Sequence, residues 1–245
     1  MNARHVGAQW RVELLLTLRR GESVLLTFLI PALLLGFFSL VDVLPRVPGT
    51  TDPVDSLAPG ILALAVMSTA MVSLAIATGF ERQQGVLKRL GATPLTRREL
   101  LVAKILAVVS VEVLQVGLLI VEGVALGWRP PADGLVVAAA ALLLATVGFA
   151  GVGMLMAGTL PALTTLAAAN GLYLVLLLLG GMVVPLSRLP GPVATVARAL
   201  PSGALAAATE GALARSGVPA WAWGVLAVWA VVGPAVAAAR FRWEA

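Results

Sequence analysis

Six long apolar runs divide the chain, at about 23–44, 57–79, 101–127, 135–159, 164–184 and 221–239. A bilayer hydrocarbon core of ~30 Å takes roughly 20 apolar residues in helix, and each run meets that length with few or no charges. Turn formers separate most of them: Pro45 and Pro48 after the first, Pro130 and Pro131 after the third, Pro161 after the fourth and Pro185 after the fifth. The pattern predicts an all-α membrane protein with six transmembrane helices. Residues 1–22 form a cytoplasmic segment, 23–239 the six-span domain and 240–245 a cytoplasmic tail. The first run is a retained anchor. Its apolar core exceeds the ~7–15 residues of a signal-peptide core, and a mostly polar segment precedes it.

Three stretches outside the runs carry patterns of their own. Near the N-terminus, Val6, Trp10, Leu14 and Leu18 recur every four residues, which predicts an amphipathic interface helix. Trp10 suits the headgroup level, and Arg11 with its neighbouring arginines suits anionic lipid; Leu15 and Leu16 interrupt the stripe. The loop 80–100 reads as a short helix over 83–90, with Lys88 and Arg89 in its last turn, where cations complement the helix dipole. Gly91 stands where a helix-ending glycine belongs, and Thr93-Pro94 breaks the chain. Thr96-Arg97-Arg98-Glu99 then makes a capping box that opens the third span. The long apolar stretch 185–220 is broken at Pro201. Val193, Val196, Ala197 and Leu200 give it a helical face.

Composition agrees with the pattern. Hydrophobic residues make up 60% of the chain and charged residues 12%, against about 25% charged in soluble domains. The mean hydropathy is +0.99. No cysteine is present, which excludes a disulfide framework or thiol site, and the single histidine, His5, cannot build a metal cluster. A net charge of +5 with pI ≈ 11.0 would fit a nucleic-acid partner, but the placement of the basic residues argues otherwise. Twelve lie in the N-terminal segment, the stretch Arg82–Lys104 and the tail, while five (Arg46, Arg129, Arg188, Arg198 and Arg215) lie on the other side of the six spans. Under the positive-inside rule, both termini and the 81–104 segment face the cytoplasm. The charge belongs to topology, and no nucleic acid is expected. No internal repeat appears, which removes the sequence support for an inverted-repeat transporter.

Ionisable groups inside a span are functional candidates by default. Glu112 and Glu122 lie within the third run, about 15 Å and roughly 80° apart on an ideal helix. Gln115 lies one turn beyond Glu112, and Asn170 and Tyr173 share a face of the fifth run at i, i+3. Glu112, Gln115, Asn170 and Tyr173 are the candidate pathway residues. Gly148, Gly151 and Gly153 would permit close helix packing in the fourth run. One reading of the acids is a proton-coupled secondary transporter using Glu112 and Glu122. A non-transporting scaffold or membrane enzyme is another, and the enzyme is disfavoured because no catalytic constellation occupies the spans.

The motif Glu81-Arg82-x-x-Gly85-x-Leu87-Lys88-x-Leu90-x-x-x-Pro94, followed by Leu101 and Lys104, resembles the signature of type-2 ABC transporter permeases, in particular the daunorubicin-exporter-like group. Phe28-Leu29-Ile30-Pro31 in the first run and Leu200-Pro201 through Glu210-Gly211-Ala212-Leu213 resemble the family's corresponding segments. Gly203-Ala204 departs from it, since relatives often carry an aromatic there. The resemblance implies a non-catalytic, pore-forming subunit that acts as a dimer and is driven by two copies of a separate ATP-binding subunit. ATP and Mg would sit on that partner, with no cofactor or metal on this chain; no Gly-x-x-x-x-Gly-Lys-Ser/Thr occurs. It also implies a re-entrant outer segment over 185–220. ATPase coupling would fall to Glu81, Arg82, Gly85, Leu87, Lys88, Arg89, Leu90 and Pro94, with Trp10, Arg11 and Leu14 on the interface helix. Leu87 and Leu90 would enter an apolar groove on the partner. Aromatics are 5% and Tyr173 is the sole tyrosine, which furnishes a sugar conduit poorly. An apolar cavity suits a small amphiphilic substrate, drug or lipid-like, exported across a bacterial plasma membrane.

Overall fold

A computed structural model describes residues 2–41, 52–182, 186 and 189–243. Pro45, Arg46, Pro48, Pro185 and Arg188 lie outside the described residues. The long elements are helices, in the order α1 (Ala3–Arg19), α2 (Gly21–Leu40), α3 (Pro53–Met67), a π-helical segment (Ser68–Ser73), α4 (Leu74–Gln83), α5 (Val86–Gly91), α6 (Arg97–Ala125), α7 (Ala132–Thr159), α8 (Ala162–Leu179), α9 (Gly191–Ala199), α10 (Pro201–Leu213) and α11 (Ala220–Arg240). Among the described residues, five helices are long and apolar enough to cross a membrane: Pro53–Gln83, Arg97–Ala125, Ala132–Thr159, Ala162–Leu179 and Ala220–Arg240. The pair α1–α2, bent by 67° at the break, makes a sixth when taken as one span. The chain is therefore an all-α membrane protein.

Local chemistry explains the element ends. Thr96 caps α6 as its spacing requires: its hydroxyl accepts from the Glu99 N–H (3.3 Å), and Glu99 Oε2 accepts from the Thr96 N–H (2.9 Å). At the far end Gly127 adopts a positive φ of 99°, and the Trp128 N–H closes back on the Gly123 carbonyl at 2.8 Å. The short helix expected over 83–90 is divided. The second span runs on through Gln83, Gly85 turns the chain at φ 74°, and α5 starts only at Val86. Gly85, not Gly91, is the left-handed residue that ends a helix, because glycine lacks the Cβ that would clash there. Gly91 is the last helical residue of α5.

The second span is the most enclosed of the five, and α7 packs along α11 beside it. Small residues let the backbones meet. A Cβ on Gly151 would strike the Gly233 and Pro234 backbone, and one on Gly153 would lie 2.7 Å from the Met71 carbonyl oxygen. The outer helices α9 and α10 break at Leu200-Pro201, and α10 is buried along most of its length, covered by α3, α7 and α11. A Cβ on Gly203 would strike the Ala197 carbonyl of α9. Glycine at this position lets the two outer helices close on each other.

Candidate functional site

A buried cluster of charge ties the 81–104 segment to the N-terminal helix. Lys104, 2% exposed, donates through Nζ to Glu13 Oε2 (2.8 Å) and to Glu81 Oε2 (2.7 Å). Arg20, at the break between α1 and α2, pairs with the other Glu81 oxygen at 3.2 Å. Gln9 donates to Glu13 Oε1 at 2.8 Å. A buried ammonium is tolerable only when paired and hydrogen-bonded, and two carboxylates from two different helices meet that need. The cluster joins α1, α4 and α6 at one point.

Two more contacts hold α1 along the first half of α6. The Asn2 N–H donates to Glu99 Oε1 (2.6 Å), and Trp10 Nε1 donates to the Ser110 hydroxyl (3.1 Å). This corrects the expected orientation of the interface helix. Val6 and Glu13 are buried and Trp10 half-buried against α6, whereas Arg11, Val12, Leu15, Leu16 and Leu18 are exposed. Glu13 must reach Lys104, so the helix turns its Trp10 side inward. The leucines that seemed to interrupt the stripe form the outer face. Leu14 sits between the two.

The coupling residues separate into two groups. Glu81 and Arg82 are buried; Arg82 Nη2 donates to the Leu160 carbonyl at the α7–α8 turn (2.6 Å). Leu87 is completely buried and joins the main apolar core, with Leu90 packed half-buried against it. This overturns the expectation that Leu87 inserts into a partner, since its side chain is already enclosed within this subunit. The exposed surface includes Val86, Lys88, Arg89, Ala92, Pro94, Arg97 and Arg98.

Above the charge cluster lies a cavity of about 740 Å³, walled by α1, α2, the second span, α6 and α8. Its polar end holds Glu13, Arg20, Glu81 and Lys104, and its flanks carry Ile30, Val72, Phe80 and Val108. The π-helical segment contributes Ser68, Thr69 and Ser73; such wide turns are frequent at functional sites. Asn170 and Tyr173 both line this space, as their shared helix face requires.

The other candidate pathway residues do not. Glu112 is buried against α7, with the Thr146 hydroxyl donating to it at 2.5 Å, so it faces the subunit interior. Gln115 bridges three elements. Pro31, four residues on from Thr27 in α2, has no N–H to donate; Gln115 Nε2 donates to the Thr27 carbonyl at 2.7 Å, while its Oε1 accepts from Thr69 at 3.1 Å. Glu122 lies against α2, where a Cβ on Gly36 would sit 3.1 Å from its carboxylate. Neither acid lines the cavity.

Sequence reasoning does not single out Glu13 or Arg20 as site residues, and it uses Lys104 only in the motif and the charge count. The signal was available. A lysine inside an apolar run demands an anion, and Glu13 is an acid beside Trp10 on an otherwise apolar stripe.

Fold and site together define a multi-pass α-helical membrane protein with a charge-locked N-terminal helix and an apolar cavity between its spans. Comparison with curated protein sequences gave no match. Residues 3–208 match the ABC-2 type transporter membrane family, most of the chain, and the protein belongs to that family. It is the membrane component of an ABC-type transporter.

Proposed function

We propose that this chain is the permease subunit of an ABC exporter, which forms the translocation pathway as a homodimer and moves a hydrophobic or amphiphilic compound. Two copies of a separate ATP-binding subunit hold the ATP and Mg and dock on the exposed face of α5 and the following turn. This chain itself is non-catalytic. The observation that carries the reading is the wall the cavity shares with the docking segment: Phe80, Glu81 and Gln84 line the cavity and lead directly into α5. A displacement of α5 therefore reshapes the cavity. The α9–α10 pair is a re-entrant outer gate in this reading, because non-helical backbone at membrane depth is tolerated where protein covers it.

Ala77 lines the cavity without belonging to the charge cluster. Ala77→Trp should fill the space, abolish substrate-stimulated ATP hydrolysis in reconstituted vesicles and leave the ATP-binding subunit bound. Wild-type stimulation in that variant would sink the cavity as the pathway.

The proposed location is a bacterial plasma membrane with both termini cytoplasmic. Because the chain lacks cysteine, single cysteines report without background. Gln84→Cys should react with an impermeant maleimide only in inverted vesicles, and Asp133→Cys only in intact cells. Labelling of both from one side would refute the orientation.

A further inference from the structure

We propose that the C-terminal Phe241-Arg242-Trp243 segment is a strap that holds the docking helix α5 to the α7–α8 turn, with Trp243 as a positioning residue for coupling. The inference rests on the exporter reading above and extends it to residues outside the docking segment. A helix of six residues cannot persist alone, because nucleation is costly and few hydrogen bonds offset it. Leu87 anchors one side of α5 in the core. On another, the Trp243 ring lies over Gly91, so close that a Cβ there would sit 3.1 Å from the indole Cδ2. Glycine at 91 thus has a packing reason, where the sequence had given it a helix-ending one.

The strap is itself fastened. Phe241 is buried and packed on Gly158, where a Cβ would overlap its ring. The Arg242 N–H donates to the Gly158 carbonyl at 3.1 Å. Phe241 and Trp243 meet edge to face, centroids 5.8 Å apart at 88°, an arrangement favoured by the ring quadrupoles. Two residues beyond Gly158, the Leu160 carbonyl accepts from Arg82. The α4–α5 elbow is thereby bound to one turn from two sides, by Arg82 before α5 and by Trp243 after it. A displacement of α5 then carries α7, α8 and α11 with it, in addition to the spans joined to α5 by the chain.

Two readouts test this on the full-length protein. The first uses a nitroxide on Ala92→Cys, exposed at the end of α5, in the permease reconstituted without its partner. Trp243→Ala should raise the label's mobility, and Trp243→Phe should restore most of the order. Gly91→Leu, which displaces the ring, should mimic Trp243→Ala and add nothing to it in the double variant. The second uses the complete complex in vesicles. Trp243→Ala should keep the ATP-binding subunit bound and hydrolysing ATP while the substrate moved per ATP falls tenfold or more, ~1.4 kcal/mol of coupling. Unchanged label mobility in Trp243→Ala overturns the strap whatever the complex does. A wild-type ratio of transport to hydrolysis, or a parallel loss of partner, hydrolysis and transport, overturns the coupling role. If the wild-type complex shows no ATP-linked transport, the exporter reading fails, and the mobility measurement alone decides whether the strap orders α5.

Discussion

Lys104→Met should be the most damaging single substitution in the spans. It leaves Glu13 and Glu81 facing each other in a buried site, with Arg20 paired to one of them from the rim. Removing one partner of a buried ion pair costs about 3–5 kcal/mol, because the remaining charge stays desolvated. That is a large part of a typical stability of ~5–15 kcal/mol, so poor expression and a collapsed melting transition in detergent are expected. Neutralising all three groups, in Lys104→Met with Glu13→Gln and Glu81→Gln, should recover most of the fold, since replacing a complete buried network is often nearly neutral. Glu13→Gln alone should be milder, because Glu81 still holds the ammonium. A Lys104→Met protein that melts with the wild type would show that the cluster contributes nothing to the junction of α1, α4 and α6.

The second large effect separates two neighbours on α5. Leu87 is enclosed, so Leu87→Ala should destabilise the subunit by about 2–5 kcal/mol through lost burial and an unfilled cavity, and Leu87→Asp should prevent folding. Val86 is 37% exposed. Val86→Asp should give a folded permease with a normal melting transition that fails to retain its ATP-binding subunit on co-purification. Arg89→Ala should weaken retention modestly, since exposed ion pairs contribute ~0–1 kcal/mol. Normal partner retention by Val86→Asp would mean that this face of α5 is solvated in the complex. A stable Leu87→Asp protein would contradict its place in the core.

These expectations differ from those drawn from the motif alone, and the reason is geometric. A leucine at i and another at i+3 define a helix face, but a face does not say which side is covered. Leu87 and Leu90 share one as expected, yet it is the face that packs into this subunit. The same ambiguity affected α1. Only the Val6 and Trp10 end of its four-residue stripe meets protein, with Leu18 exposed, and the covered side was decided by Glu13, whose partner is 91 residues away. Among the pathway candidates, Asn170 and Tyr173 share a cavity because one helix places them together. Glu112 and Gln115 also share a helix, but they point at different neighbours.

The linear order of residues determined the class, the number of spans to within the bent first pair, the approximate limits of the long helices and the Thr96 capping box. These depend on transfer free energy and on hydrogen bonds between residues a few positions apart, so a local window contains their causes. Only the tertiary structure decided which charges are buried together, which face of each short helix is covered and where the cavity lies. A pair such as Lys104 and Glu13, or Trp243 and Gly91, is brought together by the packing of whole spans. The interaction free energy of such a pair depends on distance and burial, neither of which is encoded by sequence separation.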